Sequence, residues 1–246
     1  MSHDANIPRT GLARALSKLG FCSRAQAFSL IRSGRVRLNQ RPVCDPETPV
    51  RLGKDRIEVD GKQVNPAAKV YLMLNKPRGL VTTRSDEKGR ETIYSLLPNS
   101  ADWLAPVGRL DMASEGLLFV TNDSAWGARI ASPENHIEKT YHVQIDAVAN
   151  QKLVDRLRKG VSTEDGEFLP IKRISILRLG KKNSWLEIVL DEGKNRHIRR
   201  MLSELGIEVL RLMRVAVGPV QLGNLPKGKT RPLTEEEKET LAAAKK

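Results

Sequence analysis

The sequence predicts an α+β protein in two parts, a small basic N-terminal module and a larger body on a mixed, mainly antiparallel sheet with flanking helices. Three observations predict it. Short strand-like runs outnumber helical ones after residue 70, and the helices fall irregularly between them, which disfavours a regular βαβ alternation. Charge is uneven: Arg9 to Arg41 holds eight basic residues and no acidic one, within a chain of formal net charge +13. Pro66-Ala67-Ala68 reads as a linker between the two parts.

In the module, Thr10 is placed to cap a short helix carrying Leu12, Leu16 and Leu19 on one face and ending at Gly20. Ser23 and Gln26 have capping-box spacing ahead of Ala27, Leu30 and Ile31, and Gly34 closes that helix. Val36-Arg37-Leu38, a turn at Asn39-Gln40, and Ile57-Glu58-Val59 before a turn at Asp60-Gly61 read as short strands. In the body, strands are expected at Val70–Leu74, Gly116–Thr121, Tyr141–Ile145, Ile171–Leu179, Trp185–Leu190 and Val209–Val217. Helices are expected at Gln151–Lys159, capped by Asn150, and at Arg196–Leu205, closed by Gly206. Thr234 and Glu237 open a last helix that frays from Ala242. The expected boundaries are a disordered 1–8, a module 9–65, a linker 66–69, a body 70–234 and a C-terminal helix and tail 235–246.

Composition removes several classes of function. Hydrophobic residues at 39% suffice for a core, and no apolar run approaches the length of a membrane-spanning helix. Two cysteines make no disulfide framework, and with four scattered histidines they make no familiar zinc spacing. No zinc site, no membrane and a reducing cytoplasm are therefore expected. The excess of positive charge points to a polyanion, with nucleic acid first. Arg14, Arg24, Arg32, Arg35 and Arg37 are the module's candidate phosphate contacts, set against the plainer reading of a solvated basic face.

The densest stretch of unusual residues runs from Val107 to Asp123. Arg109 and Asp111 are two apart, which in extended backbone puts them on one face, and Gly108 and Gly116 frame them. Spacing alone leaves Asp111 equally readable as a turn residue. Gly108-Arg109-Leu110-Asp111 with Ser114, Gly116-Leu117-Leu118 and Thr121-Asn122-Asp123 resembles the signature of bacterial ribosomal RNA pseudouridine synthases, in the branch holding the small-subunit enzyme and its large-subunit relatives. Leu74 to Gly79, Glu138 to Tyr141, Glu192 to Met201, and Gly228 with Arg231 to Thr234 resemble further motifs of that family, in order. The module resembles the S4-type, αL-class RNA-binding domain. Ser124 and Met112-Ala113 depart from the usual pattern.

The resemblance implies isomerisation of uridine in ribosomal RNA, free or in an assembly intermediate, without metal or organic cofactor and with the large subunit slightly favoured; a monomer is expected because no apolar patch is evident in the sequence. It implies a catalytic carboxylate at Asp111, a basic partner to it at Arg199 and an active-site tyrosine at Tyr141. A flipped-out uracil needs a flat partner, which Tyr141 could supply, although its alternating strand suits a core tyrosine equally well. Arg109, Ile198, Lys76, Arg78, Arg196 and Arg200 are the candidate substrate contacts. On a helix from residue 196, Arg196, Arg199 and Arg200 would share one broad face. The competing readings are a non-catalytic rRNA-binding or assembly protein, a metal-dependent nuclease using Asp111, Glu115 and Asp123, and a single-strand binder. The last is disfavoured because aromatics are only 4%.

Overall fold

The computed structural model describes residues 9–84, 86–98 and 103–243. The expectations for residues 1–8 and for the end of the tail lie outside these. The chain divides into two compact units, the smaller containing the residues up to Val70 and Thr121–Ala125, the larger containing most of the remainder.

In the smaller unit, helices α1 (Leu12–Lys18) and α2 (Arg24–Arg32) accompany strands β1 (Val36–Leu38) and β2 (Ile57–Val59), which pair antiparallel. Their apolar faces meet in one cluster that includes Leu12, Leu16, Ala27, Ile31, Val36, Val50, Ile57 and Val59. The capping box forms as expected, Gln26 donating its backbone N–H to Ser23 Oγ at 3.1 Å while Ser23 N–H reaches Gln26 Oε1 at 3.0 Å. Thr10 does not cap α1. It pairs with Val50 in a short bridge, and the helix's first amides are met by backbone instead, Leu12 N–H on Thr48 O and Ala13 N–H on Pro46 O, both at 2.9 Å.

The larger unit is built on a mixed sheet. Its strands are β3 (Tyr71–Lys76), β4 (Glu115–Thr121), β5 (Lys139–Ile145), β6 (Arg173–Leu179), β7 (Ser184–Leu190), β8 (Val209–Val217) and β9 (Thr230–Pro232), in the order β6-β7-β5-β8-β4-β3-β9. β5 runs antiparallel to β7 and β8, whereas β4 runs parallel to β8. Helix α3 (Ser124–Ala131) had no counterpart among the expected elements. Helix α4 (Gln151–Arg158) starts where Asn150 Oδ1 accepts Leu153 N–H at 2.9 Å. Helix α6 (Glu235–Ala243) carries the reciprocal Thr234–Glu237 box and stays helical through Ala242 and Ala243, so the fraying expected from Ala242 does not begin there.

Helix α5 (His197–Ser203) begins later than expected. Arg196 is its N-cap, in the left-handed region at φ 48° and ψ 31°, so it does not share a helical face with Arg199 and Arg200. Two apolar clusters flank the sheet. One joins Val143, Ile145, Leu186 and Ile188 to Leu157, Ile198, Met201 and Leu202, and the other joins Leu117, Phe119 and Val217 to Trp126, Ile130 and Leu241. Burying a side chain such as Ile198 or Met201 contributes about 1.5–3 kcal/mol, which anchors α5 against the strands.

Candidate active site

Between Leu110 and Ser114 the chain turns into β4, and every backbone carbonyl of that turn accepts a hydrogen bond. Thr82 Oγ1 donates to Leu110 O at 2.7 Å. Lys76 Nζ and Ser114 N–H both donate to Asp111 O, at 3.1 and 2.9 Å. Gly79 N–H donates to Met112 O at 2.8 Å, Arg199 to Ala113 O at 3.1 Å, and Lys76 Nζ to Ser114 O at 3.0 Å. An irregular loop normally solvates its carbonyls; here side chains from β3 and α5 hold them in place. Beyond the turn, Gly116 has φ 103°, and a Cβ there would stand 2.2 Å from the Arg214 carbonyl oxygen. Only glycine lets β4 approach β8 this closely.

The turn leaves the Asp111 carboxylate partly exposed, 39% accessible, at a cleft of about 470 Å³. Arg109, Tyr141, Arg196 and Ile198 also line the cleft, with apolar walls from both clusters. Arg196 is the nearest cation to the carboxylate, its guanidinium 4.0 Å from Oδ2. Arg199 does not hold the carboxylate directly. It bridges backbone, donating to Ala113 O and to Val209 O, both at 3.1 Å, and so ties Asp111's turn to the start of β8. Burial, then the neighbouring charge of Arg196, push the Arg199 guanidinium below its usual range, while Asp111 pulls it back up. Arg78 adds a third cation to this group and donates to Leu210 O at 3.3 Å.

Two candidate contacts are placed elsewhere. Lys76 is wholly buried and spends its ammonium on three carbonyls, of Pro77, Asp111 and Ser114, so it is an internal strut and not an RNA contact. Burial pushes its ammonium down to about 8, against the upward pull of Asp111 and Glu115. Arg200 turns to another carboxylate pair, Glu167 at 2.6 Å and Asp165 at 3.1 Å, and does not line the cleft. In the module, Arg35 is engaged by Asp60 through two hydrogen bonds of 2.8 and 2.5 Å. Arg14, Arg24 and Arg37 are exposed, and Arg32 lies over the Phe28 ring.

Sequence reasoning missed several cleft residues, Lys139 and Arg214 among them. The signal for Lys139 was its place two before Tyr141 on one strand face. No sequence signal marked Arg214, because a bulge sets its direction. Thr140 pairs with Ala216 but Tyr141 pairs with Arg214, so Val215 is the extra residue. Among the described residues there is no His, Cys, Asp and Glu grouping able to hold a metal ion, and no helix is long and apolar enough to cross a membrane.

Comparison with known proteins agrees with this geometry. The family described as RNA pseudouridylate synthase matches residues 70–204, and the S4 domain matches residues 10–57. A protein of Aquifex aeolicus named as an uncharacterized RNA pseudouridine synthase is 40% identical over 90% of this chain and 89% of its own. The ribosomal large subunit pseudouridine synthase B of Bacillus subtilis is 34% identical over 94% and 95%. A crystal structure of a pseudouridylate synthase superposes with a TM-score of 0.67 at 31% identity, covering 94% of this chain and 99% of that one. The chain therefore belongs to the RNA pseudouridylate synthase family, as an intramolecular isomerase bearing an N-terminal S4 domain.

Proposed function

We propose that the chain converts a uridine of large-subunit ribosomal RNA to pseudouridine, with Asp111 as the working carboxylate. The observation that carries the assignment of Asp111 is its turn: the carbonyls from Leu110 to Ser114 are all bonded, yet the carboxylate is presented to the cleft with Arg196 beside it. The reaction breaks the N1–C1′ bond and joins C5 to C1′, so N1 gains a proton and C5 loses one. Whether it adds to the sugar, adds to the base or removes a proton, Asp111 acts as an anion, and the charges of Arg196 and Arg199 attract that anion. A uracil stacked in a helix is out of reach, so the target nucleotide is turned out into the cleft. Tyr141, half-buried on the cleft floor, offers its ring to the base, and Ile198 offers an apolar wall. The S4 domain adds phosphate and shape contacts through Arg14, Arg24 and Arg37. The large subunit is favoured by the name of the Bacillus subtilis relative.

Tritium release tests this directly, because forming C5–C1′ expels the C5 hydrogen. With RNA labelled at uridine C5, wild type releases tritium from large-subunit and not small-subunit RNA. Asp111→Asn binds the same RNA with similar affinity and releases none. Turnover by Asp111→Asn would remove the assignment of the carboxylate, and release from small-subunit RNA alone would remove the assignment of the substrate.

A further inference from the structure

We infer that Lys139 and Arg214 form an anion subsite on the cleft floor that takes the phosphodiester adjoining the target uridine. The inference rests on reading the cleft as the uridine site. Its basis is an imbalance of charge. Of the other cations lining the cleft, Arg196 faces Asp111 and Lys194 faces Glu167 and Glu192, while Arg109, which forms no ion pair among the described residues, is exposed and not set in the floor. Lys139 and Arg214 form no ion pair among the described residues, although both line the cleft.

The fold brings these two together deliberately. Lys139 and Tyr141 lie two apart on β5 and share a face. The bulge at Val215 brings Arg214 opposite Tyr141, on the face where Val217 stands opposite Lys139. With an unbroken register, Val215 would take that place and the floor would carry one cation instead of two. Arg214 is buried, and its Nε donates to Leu117 O at 2.8 Å, which fixes the guanidinium plane. Two adjacent cations under partial burial repel each other. Lys139 registers this, its ammonium pushed down to about 8, first by burial and then by Arg214, with Asp191 opposing. Such an arrangement is relieved by a ligand carrying a full negative charge. A neutral uracil offers only carbonyl dipoles. The permanent anion on a nucleotide is its phosphodiester, and a guanidinium beside an ammonium suits it.

The test uses the full chain, with uridine 3′,5′-bisphosphate as probe and uridine as control. Calorimetric titration is expected to show Lys139→Met weakening bisphosphate binding by tenfold or more. Lys139→Arg is expected to stay within threefold of wild type, and neither variant to change uridine binding. Wild type provides a measurement that needs no variant: the bisphosphate, but not uridine, slows acetylation of Lys139 by acetic anhydride at pH 8, read by mass spectrometry. Equal bisphosphate affinity in Lys139→Met and wild type overturns the proposal. So does equal protection by uridine, or the absence of bisphosphate binding by wild type. None of these readouts requires turnover, so protection at Lys139 without tritium release would refute the proposed reaction and leave the subsite standing.

Discussion

Replacing Lys76 by methionine separates an internal strut from an RNA contact. Methionine keeps most of the side chain's volume and removes the ammonium. Pro77 O and Ser114 O then lose the hydrogen bonds described for them, while Asp111 O keeps Ser114 N–H. Each buried carbonyl left bare costs about 1–3 kcal/mol, and ending the burial of a charge returns part of that, so a net loss of about 1–3 kcal/mol is expected. Urea unfolding measures it. The pH dependence of the wild type supplies an independent check. The folded-state value for Lys76 is about 8, below the ordinary 10.5, so the unfolded chain binds more protons between those values. Stability attributable to Lys76 therefore rises as pH climbs from about 8 to about 10.5, and this rise is missing from Lys76→Met. Turnover should fall at least tenfold as the turn loosens, with RNA affinity held within threefold. Unchanged stability together with a large loss of RNA affinity would refute the strut and restore Lys76 as a substrate contact.

Gly116→Ala should lose about 3–5 kcal/mol or fail to accumulate as soluble protein, because its Cβ meets the Arg214 backbone in a left-handed conformation; a urea midpoint close to wild type would contradict this. Arg200→Gln breaks a partly exposed pair and should lower the urea midpoint only slightly while leaving tritium release and RNA affinity near wild type. The triple substitution Arg14→Gln, Arg24→Gln and Arg37→Gln should reduce the slope of log affinity against log salt by about 2 to 3, measured by filter binding, and an unchanged slope would take these side chains off the phosphate backbone.

The fold was legible where local rules coincide with tertiary ones. The Ser23–Gln26 and Thr234–Glu237 boxes, the Asn150 cap and all nine residues of Val209–Val217 follow from short-range pattern alone. Thr10 and Arg196 show the limit. A threonine before a helix caps it only if its backbone is free, and Thr10 is held by Val50. An arginine opening a helical run is expected to be helical, but Arg196 occupies a left-handed turn that nothing in its side chain announces. In the site, the Asp111 turn stood out through its glycines and the resemblance they carry. Lys76 had two opposite uses that only burial distinguishes. Arg214 depended on a one-residue slip in register, which composition does not encode.

The fully bonded turn at Asp111 also fixes where adaptation occurs when RNA arrives. Exchange of the Gly79 amide with solvent deuterium should track opening of this turn, since its N–H is held by Met112 O and the turn's other carbonyls are released by Thr82, Lys76 and Arg199 only when their own elements part. Such an enzyme behaves as a stiff die. The conformational search on binding then belongs to the nucleic acid, and association slows with the rigidity of the RNA segment that has to unstack.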